Sequence, residues 1–526
     1  MNKKLLIVYV PGFKMTVKDW EPLISRLREE TELSGATWKG WDHHCGPFGA
    51  ASSRSIATDL KDAIDAEWWL TGSYDEVVLI GHSVGGVLVR QAYLLASGCY
   101  AGEPDSEWPK HVKRIVLLAA VNRGLDQNKW EIRLYDLITR LLSVLLFRHF
   151  AAQDLISGSE FITDLRLKWI THMRSLPSDQ RPAVYQIIGT KDSFVTRRDS
   201  IYLEQFPNAT HMSVPDITHN QLPLIRVGPN PEMRYRFIRD AIFGHKVQNA
   251  DRPPHFERKD QVVFVLHGIR AANRGWVQQL DERIIKSLPN AEVVTPGYGY
   301  LSALEFVVPF LHRRPIRKFQ QLYSDYFVQN PGAKFHFVGH SNGTYILGQS
   351  LKSLTAMRFD RVFLAGSVLP RDFPWRELMS GTPPQVNILR NDCANSDWPV
   401  GFLCSGLTGL ARRDIGTGGY EGFLHDDRRV FQYWFHGGGH GAALEEGNIN
   451  STAGFLLKGD DSSKPRNLFG EKRGFSFLSR LAPSVFRVVV LLLAGTFAFA
   501  AYTSSIEIAL GVGAALVIVA FVLKVA

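Results

Sequence analysis

The chain has 526 residues, and because single hydrophobic cores stop growing at ~250–300 residues, more than one domain is expected. Hydrophobic residues make up 45% and charged residues 21%, which excludes a disordered or low-complexity chain. The net charge of +9 is spread thinly, and zinc-ligand spacing, an RNP motif and a long basic helix are missing, so nucleic-acid binding is not expected. Four scattered cysteines (Cys45, Cys99, Cys393 and Cys404) do not form a disulfide framework.

The chain opens on an apolar run that has two interpretations, a signal peptide or a β-strand. Lys3 and Lys4 precede Leu5 to Val10, as basic residues precede a signal sequence. The run is only six residues long and stops at Pro11-Gly12, whereas a signal sequence needs ~7–15 apolar residues and a small-residue cleavage site. The sequence therefore predicts a first β-strand and a cytosolic start.

The sequence then repeats itself with a period of roughly 256–258 residues. In the first copy the apolar run leads to Gly12, and Trp20 follows eight residues later. In the second copy Val262 to Leu266 leads to Gly268, and Trp276 again follows eight residues later. The unit is far longer than a solenoid repeat, so the pattern indicates duplication of a whole domain.

Both copies also carry a Gly-x-Ser-x-Gly motif after an apolar strand and before a helical pattern. The motifs are Gly81-His82-Ser83-Val84-Gly85 and Gly339-His340-Ser341-Asn342-Gly343. A strand–turn–helix holds such a serine in a sharp turn, where the glycines remove side chains that would clash. The alternative is a glycine-rich turn that only packs a strand on a helix, but the recurrence favours an exposed serine in both copies.

Short buried strands alternate with helical patterns in each copy, which predicts α/β layers around a mostly parallel sheet. The predicted organisation is domain one at 1–245 with a helical lid at about 125–180, a linker at 246–260, domain two at 261–458, a basic linker at 459–480, and two transmembrane helices at 481–526.

The C-terminal block predicts a membrane hairpin. Val488 to Leu523 contains one charge, Glu507, in 36 residues, and divides near Tyr502 to Ser505 into two stretches of about the ~17–25 residues that span a bilayer. The alternatives are a buried core hairpin and a shallow re-entrant hairpin. A net charge of +5 precedes the block, which by the positive-inside rule places both domains on the cytoplasmic side; its residues are Lys464, Arg466, Glu471, Lys472, Arg473, Arg480 and Arg487.

These motifs resemble the α/β-hydrolase superfamily, as two successive domains over residues 1–458. The first domain is similar to PGAP1-like and DUF676-type lipases and esterases, on the evidence of Ala119 to Gly124 after a strand and Gly158 to Phe161. The resemblance implies the chain order serine, carboxylate, histidine. It thus implies two catalytic triads: Ser83, Asp192 and His219, and Ser341, Asp397 and His440.

Other residues compete for these roles. Asp199 and His211 are rivals in domain one, and Asp392 and His436 are rivals in domain two. Asp397 is preferred because both domains then share the pattern Asp-x-x-Val. The resemblance also implies oxyanion-hole donors, the backbone N–H groups of Phe13, Val84, Ile269 and Asn342. Domain one departs from the usual His-Gly in this loop, with Pro11-Gly12.

The two copies differ in their insertions. From serine to aspartate there are 109 residues in domain one and 56 in domain two. The longer segment includes Tyr135 to Arg148, a helix that either covers the core or forms a lid touching lipid. In domain two, the apolar segment 401–410 lines a pocket or covers domain one, and a basic cluster (Arg313, Arg314, Arg317 and Lys318) is either solvated or faces anionic lipid.

Together these features predict a membrane-anchored serine hydrolase that cleaves an ester of a lipid or acyl substrate through an acyl-enzyme, without metal or organic cofactor. One alternative is an acyl-protein thioesterase. The other is a binding or assembly protein in which one or both domains are catalytically silent and the membrane hairpin is the effector.

Overall fold

The computed structural model of the protein describes residues 3–43, 49, 51–126, 129–146, 150–195, 209–245, 257–268, 275–288, 290–296, 313–410, 412–465 and 467–503. The chain divides into two compact units. The first comprises Met1–Arg258 with Gln320–Pro331, and the second Lys259–Phe319 with Gly332–Ala526.

The first unit contains a sheet of six strands that are all parallel, in the order β2-β1-β3-β4-β5-β6. A parallel sheet is covered on both faces, and β1 shows why this sequence forms one. Leu6 and Val8 join the core on one face, while Ile7 and Tyr9 join the core on the other. The strands are β1 Leu5–Val10, β2 Thr37–Gly40, β3 Glu76–His82, β4 Val112–Leu118, β5 Ala183–Gly189 and β6 Ala209–Val214.

Helices cover both faces of this sheet. Side chains of α2, α3 and α6 pack on one face, and those of α1 and α7 on the other. Local signals fix their ends: Ser52 accepts a hydrogen bond from the backbone of Ser55 at the start of α2, and Gly72 ends that helix at a φ of 72°. The helices are α1 Glu21–Arg28, α2 Ser53–Thr71, α3 Val84–Ala96, α4 Trp130–Leu146, α5 Ala151–Asp154, α6 Glu160–Ser175 and α7 Pro231–Phe243.

The second unit repeats this topology. Its six parallel strands follow the order β8-β7-β9-β10-β11-β12, which matches the first sheet strand for strand. The prediction of α/β layers around two parallel sheets is therefore confirmed. The strands are β7 Gln261–Leu266, β8 Ala291–Val294, β9 Lys334–His340, β10 Phe359–Ala365, β11 Val386–Ala394 and β12 Val430–His436.

The helices that follow β7 include a short π-helical segment, Pro399–Cys404, which begins two residues after the predicted catalytic Asp397. The others are α8 Trp276–Ser287, α9 Arg313–Gln329, α10 Asn342–Ser353, α11 Trp375–Ser380, α12 Ser405–Thr408, α13 Gly418–Glu421, α14 Glu446–Lys458 and α15 Arg473–Tyr502. The basic cluster predicted at residues 313–318 lies at the start of α9.

Helix α15 is the part of the described chain that is long and apolar enough to cross a bilayer, over residues 473–496. It begins at Arg473, eight residues before the predicted start at 481, and ends at Tyr502, where the sequence predicts the first span to end. The predicted second span, 504–526, lies outside the described residues.

Candidate active sites

Each Gly-x-Ser-x-Gly serine occupies a one-residue turn between a strand and a helix. Ser83 separates β3 from α3, and Ser341 separates β9 from α10. Their φ angles are 53° and 56°, values that cost a non-glycine residue of order 1–3 kcal/mol. Such a turn holds the serine side chain at the carboxyl edge of the parallel sheet.

The flanking glycines make room for this turn. A Cβ on Gly85 would lie 2.2 Å from the carbonyl oxygen of Val10. In the second unit, a Cβ on Gly343 would lie 2.3 Å from the carbonyl oxygen of Leu266. The first strand of each sheet therefore passes directly against the start of the helix, and only glycine fits there.

In the first unit, the predicted serine, histidine and aspartate lie in one hydrogen-bonded line. Ser83 Oγ lies 2.7 Å from His219 Nε2, and His219 Nδ1 lies 2.8 Å from Asp192 Oδ2. The histidine follows β6 and the aspartate follows β5, so the carboxyl ends of neighbouring strands bring them together. The Asp192 side chain is fully buried, and it accepts a hydrogen bond from the Nδ1–H group of His219, which leaves Nε2 to accept the serine proton.

Backbone groups hold the aspartate in each unit, and the valine of the shared Asp-x-x-Val pattern supplies one of them in both. Asp192 Oδ1 accepts hydrogen bonds from the backbone N–H groups of Phe194 and Val195, at 2.8 and 2.9 Å. Asp397 Oδ1 accepts one from Val400, at 3.0 Å. Backbone N–H groups of the residues that follow each aspartate thus hold one carboxylate oxygen, and this fixes the orientation of the whole carboxylate.

A second histidine supports each histidine of the predicted triads, and the sequence analysis missed it. His82 Nε2 lies 2.9 Å from the backbone oxygen of His219, and His340 Nε2 lies 3.0 Å from that of His440. Burial, together with the nearby His219, lowers the pKa of His82 to about 3, so this ring is neutral at physiological pH. The signal was present in the sequence, since both motifs read Gly-His-Ser.

A cavity of about 370 Å³ opens at Ser83 and His219. Most of its wall is apolar, and the predicted oxyanion residues Phe13 and Val84 both line it. Its lining residues are Phe13, Lys14, Ser83, Val84, Val121, Leu125, Ile132, Tyr135, Ala152, Leu155, Phe194, His219 and Asn220. Ser83 therefore faces a largely apolar chamber of a size typical of small-molecule sites.

Helix α4 forms part of this chamber, at the position where the sequence predicts a lid. Ile132 and Tyr135 line the cavity, whereas Trp130 and Leu137 are 68% and 55% exposed. The helix thus presents apolar side chains both to the chamber and to the outside, which a helix that only covers a core does not do.

The second unit brings together only two of its three predicted residues. His440 Nδ1 lies 2.8 Å from Asp397 Oδ1 and 2.9 Å from Oδ2. Within the described part of the chain, the buried Nε2 of His440 has no hydrogen-bond partner. Ser341 lies against Gly268, where an added Cβ would be 2.6 Å from the serine Cβ, as Ser83 lies against Gly12, where the corresponding distance is 3.0 Å. Asn342 begins α10, and the fourth predicted oxyanion residue, Ile269, lies outside the described residues.

The rival residues of the second unit form a separate buried cluster. Arg390 donates two hydrogen bonds of 2.7 Å to Asp392, and His436 Nε2 lies 2.8 Å from the same carboxylate. Burial alone would raise the pKa of Asp392, but the charges and hydrogen bonds of its two partners lower it overall. The cluster joins β11 to β12 and contains neither Ser341 nor His440.

The rivals in the first unit are placed differently. His211 is buried on β6, while His219 holds the contacts with Ser83 and Asp192. Asp199 lies outside the described residues. Among the described residues, no group of three or more histidine, cysteine, aspartate or glutamate side chains is arranged to hold a metal ion.

The apolar segment predicted at 401–410 packs against α15. A Cβ on Gly406 would lie 2.5 Å from the Phe486 ring, and one on Gly409 would lie 2.5 Å from the Pro483 oxygen. Arg487 Nε donates a hydrogen bond of 2.9 Å to the Gly409 oxygen. The first half of α15 is therefore part of the second unit, attached to the segment that begins beside Asp397.

No family model matches the chain and no curated protein matches it, so the resemblance of the first domain to PGAP1-like and DUF676-type enzymes stays a prediction.

The chain does show likeness to solved structures. A monoacylglycerol lipase of Paleococcus ferrophilus is 16% identical over 46% of this chain and 95% of its own, with a TM-score of 0.31. Mouse alpha/beta hydrolase domain-containing protein 10 is 15% identical over 45% and 90%, with a TM-score of 0.31. A peroxisomal alpha-beta-hydrolase of Saccharomyces cerevisiae is 14% identical over 49% and 82%, with a TM-score of 0.29. TM-scores this low support no conclusion about the activity of this chain.

Proposed function

We propose that this protein is a membrane-anchored serine hydrolase that cleaves an acyl ester at Ser83. The observation that carries the proposal is the line of two hydrogen bonds, 2.7 Å from Ser83 to His219 and 2.8 Å from His219 to Asp192. A serine hydroxyl is a weak nucleophile until a base takes its proton, and this geometry supplies the base and its orienting carboxylate.

The reaction proceeds in two acyl transfers. His219 Nε2 takes the proton of Ser83 as Oγ bonds to the ester carbonyl carbon, and the same nitrogen protonates the departing alkoxide, which leaves as the alcohol. A water molecule, deprotonated by His219, then attacks the carbonyl carbon of the acyl-serine. His219 returns this proton to Ser83 Oγ as the bond between that oxygen and the acyl carbon breaks, which releases the acid and the free serine. Backbone N–H groups of Phe13 and Val84 are the proposed donors to the oxyanion in both steps.

The proposed substrate is a lipid or another acyl ester. The support is the apolar lining of the chamber at Ser83, with the apolar outer side chains of α4 beside it. Helix α15 is the proposed anchor, and the basic residues from Lys464 to Arg487 favour a cytoplasmic position for both units. To test the anchor, Leu491 and Leu492 are changed together to Arg. If α15 is the anchor, this pair should move the full chain from the carbonate-washed membrane pellet to the supernatant, and retention in the pellet would refute α15 as the anchor.

The second unit has two candidate functions. Two features support a second hydrolase site at Ser341: its strained turn between a strand and a helix, and the contact of His440 with Asp397. Catalytic hydrogen bonds are often incomplete before substrate binds. Among the described residues His440 Nε2 has no hydrogen-bond partner, which favours a unit that keeps the fold for binding or assembly without turnover.

Fluorophosphonate labelling separates these possibilities, because the probe reacts only with an activated serine. The full chain is compared with Ser83→Ala and Ser341→Ala. The proposal expects the wild-type chain to label and Ser83→Ala to lose most or all of the label. A wild-type chain that is folded but does not label would overturn the hydrolase proposal. Label left on Ser83→Ala and removed by the second substitution would show that Ser341 is also active.

A further inference from the structure

The wall of the chamber at Ser83 includes a cationic residue that the proposed chemistry does not use. Of its thirteen lining residues, Lys14 is the one lysine, arginine, aspartate or glutamate. It follows directly after Phe13, the proposed oxyanion donor, and it is exposed. An apolar chamber with one cation in its wall suits a substrate with an acyl chain and an anionic group.

The backbone at Lys14 is strained. The residue lies in a turn closed by a hydrogen bond of 3.1 Å from Met15 N to Gly12 O, with a φ of 61°. Glycine or asparagine is preferred at a turn position with positive φ, and a long side chain there costs of order 1 kcal/mol. A lysine at this position therefore lowers stability, and strain of this kind is concentrated at functional sites.

The sequence repeat supplies an independent observation. Lys14 is two residues after Gly12, and Arg270 is two residues after the corresponding Gly268. The two copies differ at the residue between, Phe13 in one and Ile269 in the other, yet both place a cation after it. A positive charge at this point of the loop is thus a property of both copies.

We propose that Lys14 binds an anionic group of the substrate close to the scissile ester, so that the substrates are acyl esters whose alcohol portion carries a phosphate or carboxylate. This proposal depends on the hydrolase activity proposed above. Lys14 acts here as a specificity residue, since proton transfer needs only Ser83, His219 and Asp192.

The test compares two substrates with the same acyl chain, a 1-acylglycerol 3-phosphate and the corresponding 1-monoacylglycerol, in micelles of neutral detergent. The kcat/KM of the full chain is measured on each. Lys14→Met should lose about tenfold or more on the phosphate substrate and less than about twofold on the neutral one. Lys14→Arg should retain most of the preference, because it keeps the charge.

Two further variants serve as controls. Lys18→Met removes an exposed lysine four residues away that does not line the cavity, and it should change neither rate. Lys14→Gly removes the side chain and the strain together, so it should lose the phosphate preference without a fall in Tm. An equal loss on both substrates would show that Lys14 serves the oxyanion or the fold, and would overturn the proposal.

Two other outcomes also overturn it. The first is an unchanged preference in Lys14→Met. The second is an effect of Lys14→Met on the neutral substrate that emerges only in vesicles containing anionic lipid, because that result would assign the lysine to the membrane surface. Fluorophosphonate labelling distinguishes failure of the hydrolase proposal from failure of the lysine proposal. If Ser83 labels normally in Lys14→Met, but the wild type does not prefer the phosphate substrate, only the lysine proposal fails.

Discussion

The two units share a backbone plan and differ in one side-chain contact. Both have the same strand order and a serine with a positive φ between a strand and a helix. In both, the histidine before that serine contacts the backbone oxygen of the second histidine. In the first, Ser83 reaches His219, whereas in the second the Nε2 of His440 is left without a partner among the described residues. The backbone plan of the two units is thus shared, whereas the contact between serine and histidine is present in the geometry of the first unit alone among the described residues.

The surroundings of the two sites differ as well. The first is covered by α4, which lines the acyl chamber. In the second, Asp397 precedes a segment packed on α15, the candidate membrane helix. The comparison suggests a division of labour, with chemistry in the first unit and membrane attachment in the second.

The largest expected effect concerns the nucleophiles. Ser83→Ala should lower kcat/KM for an acyl ester by about 1,000-fold or more, since the proton acceptor then has no hydroxyl to activate. Ser341→Ala should change it by less than about threefold. Comparable decreases of kcat/KM in the two variants, measured with the same substrate in detergent, would contradict a catalytic difference between the units.

The buried cluster of the second unit should govern stability rather than catalysis. Asp392→Asn leaves Arg390 without its carboxylate and should destabilise the second unit by about 3–5 kcal/mol. The stabilisation from this carboxyl, whose pKa is lowered on folding, is present above its unfolded pKa of about 3.9 and is lost as pH falls below it. Chemical denaturation with hydrogen exchange resolved by peptide would locate the loss, and Ser83 labelling should be unchanged.

The attachment of α15 to the second unit is tested by a matched pair of glycine substitutions. Gly406→Ala places a Cβ 2.5 Å from the Phe486 ring and should cost about 1–3 kcal/mol. Gly447→Ala, also in a helix but with open space around it, should be neutral or slightly stabilising. Faster hydrogen exchange in residues 473–487 is expected only in the first variant; equal exchange in both would show that α15 is not held by this contact.

The stability of the first unit should depend on pH through His82. His82 has a pKa of about 3 in the folded chain and about 6.5 unfolded, so the unfolded state binds more protons between these values. Stability should therefore fall with acidification from about pH 6.5, by up to about 1.4 kcal/mol per pH unit.

His82→Gln removes this titration, so its unfolding free energy should fall less steeply between pH 6 and 5 than that of the wild type. Denaturant titrations at the two pH values, followed by hydrogen exchange in β3, provide the measurement. Parallel pH dependence in wild type and variant would contradict a neutral buried ring.

Local patterns in the sequence were enough to predict much of the fold. The continuous apolar run from Leu5 to Val10 predicts a strand buried on both faces, and the glycines around Ser83 predict the sharp turn. The pairing of Asp192 with His219 was expected only from the resemblance to a known superfamily.

Other features depend on contacts distant in sequence. The contact of Asp392 with His436 requires the register of β11 and β12, which no local pattern reveals, whereas Arg390 and Asp392 share a face of one strand. The start of α15 at Arg473 was not predicted because the basic residues of that stretch resemble a linker, and the contact of Phe486 with Gly406 is distant in sequence.

The most direct test follows both serines in the same wild-type molecules. The full chain is treated with a fluorophosphonate, and the rates of modification at Ser83 and Ser341 are read by peptide mass spectrometry. Ser83 contacts His219, whereas His440 Nε2 has no partner among the described residues. We therefore expect Ser83 to be modified at least about 100-fold faster than Ser341. Equal rates, faster reaction at Ser341, or no adduct on Ser83 would contradict the assignment of the first unit as the hydrolase.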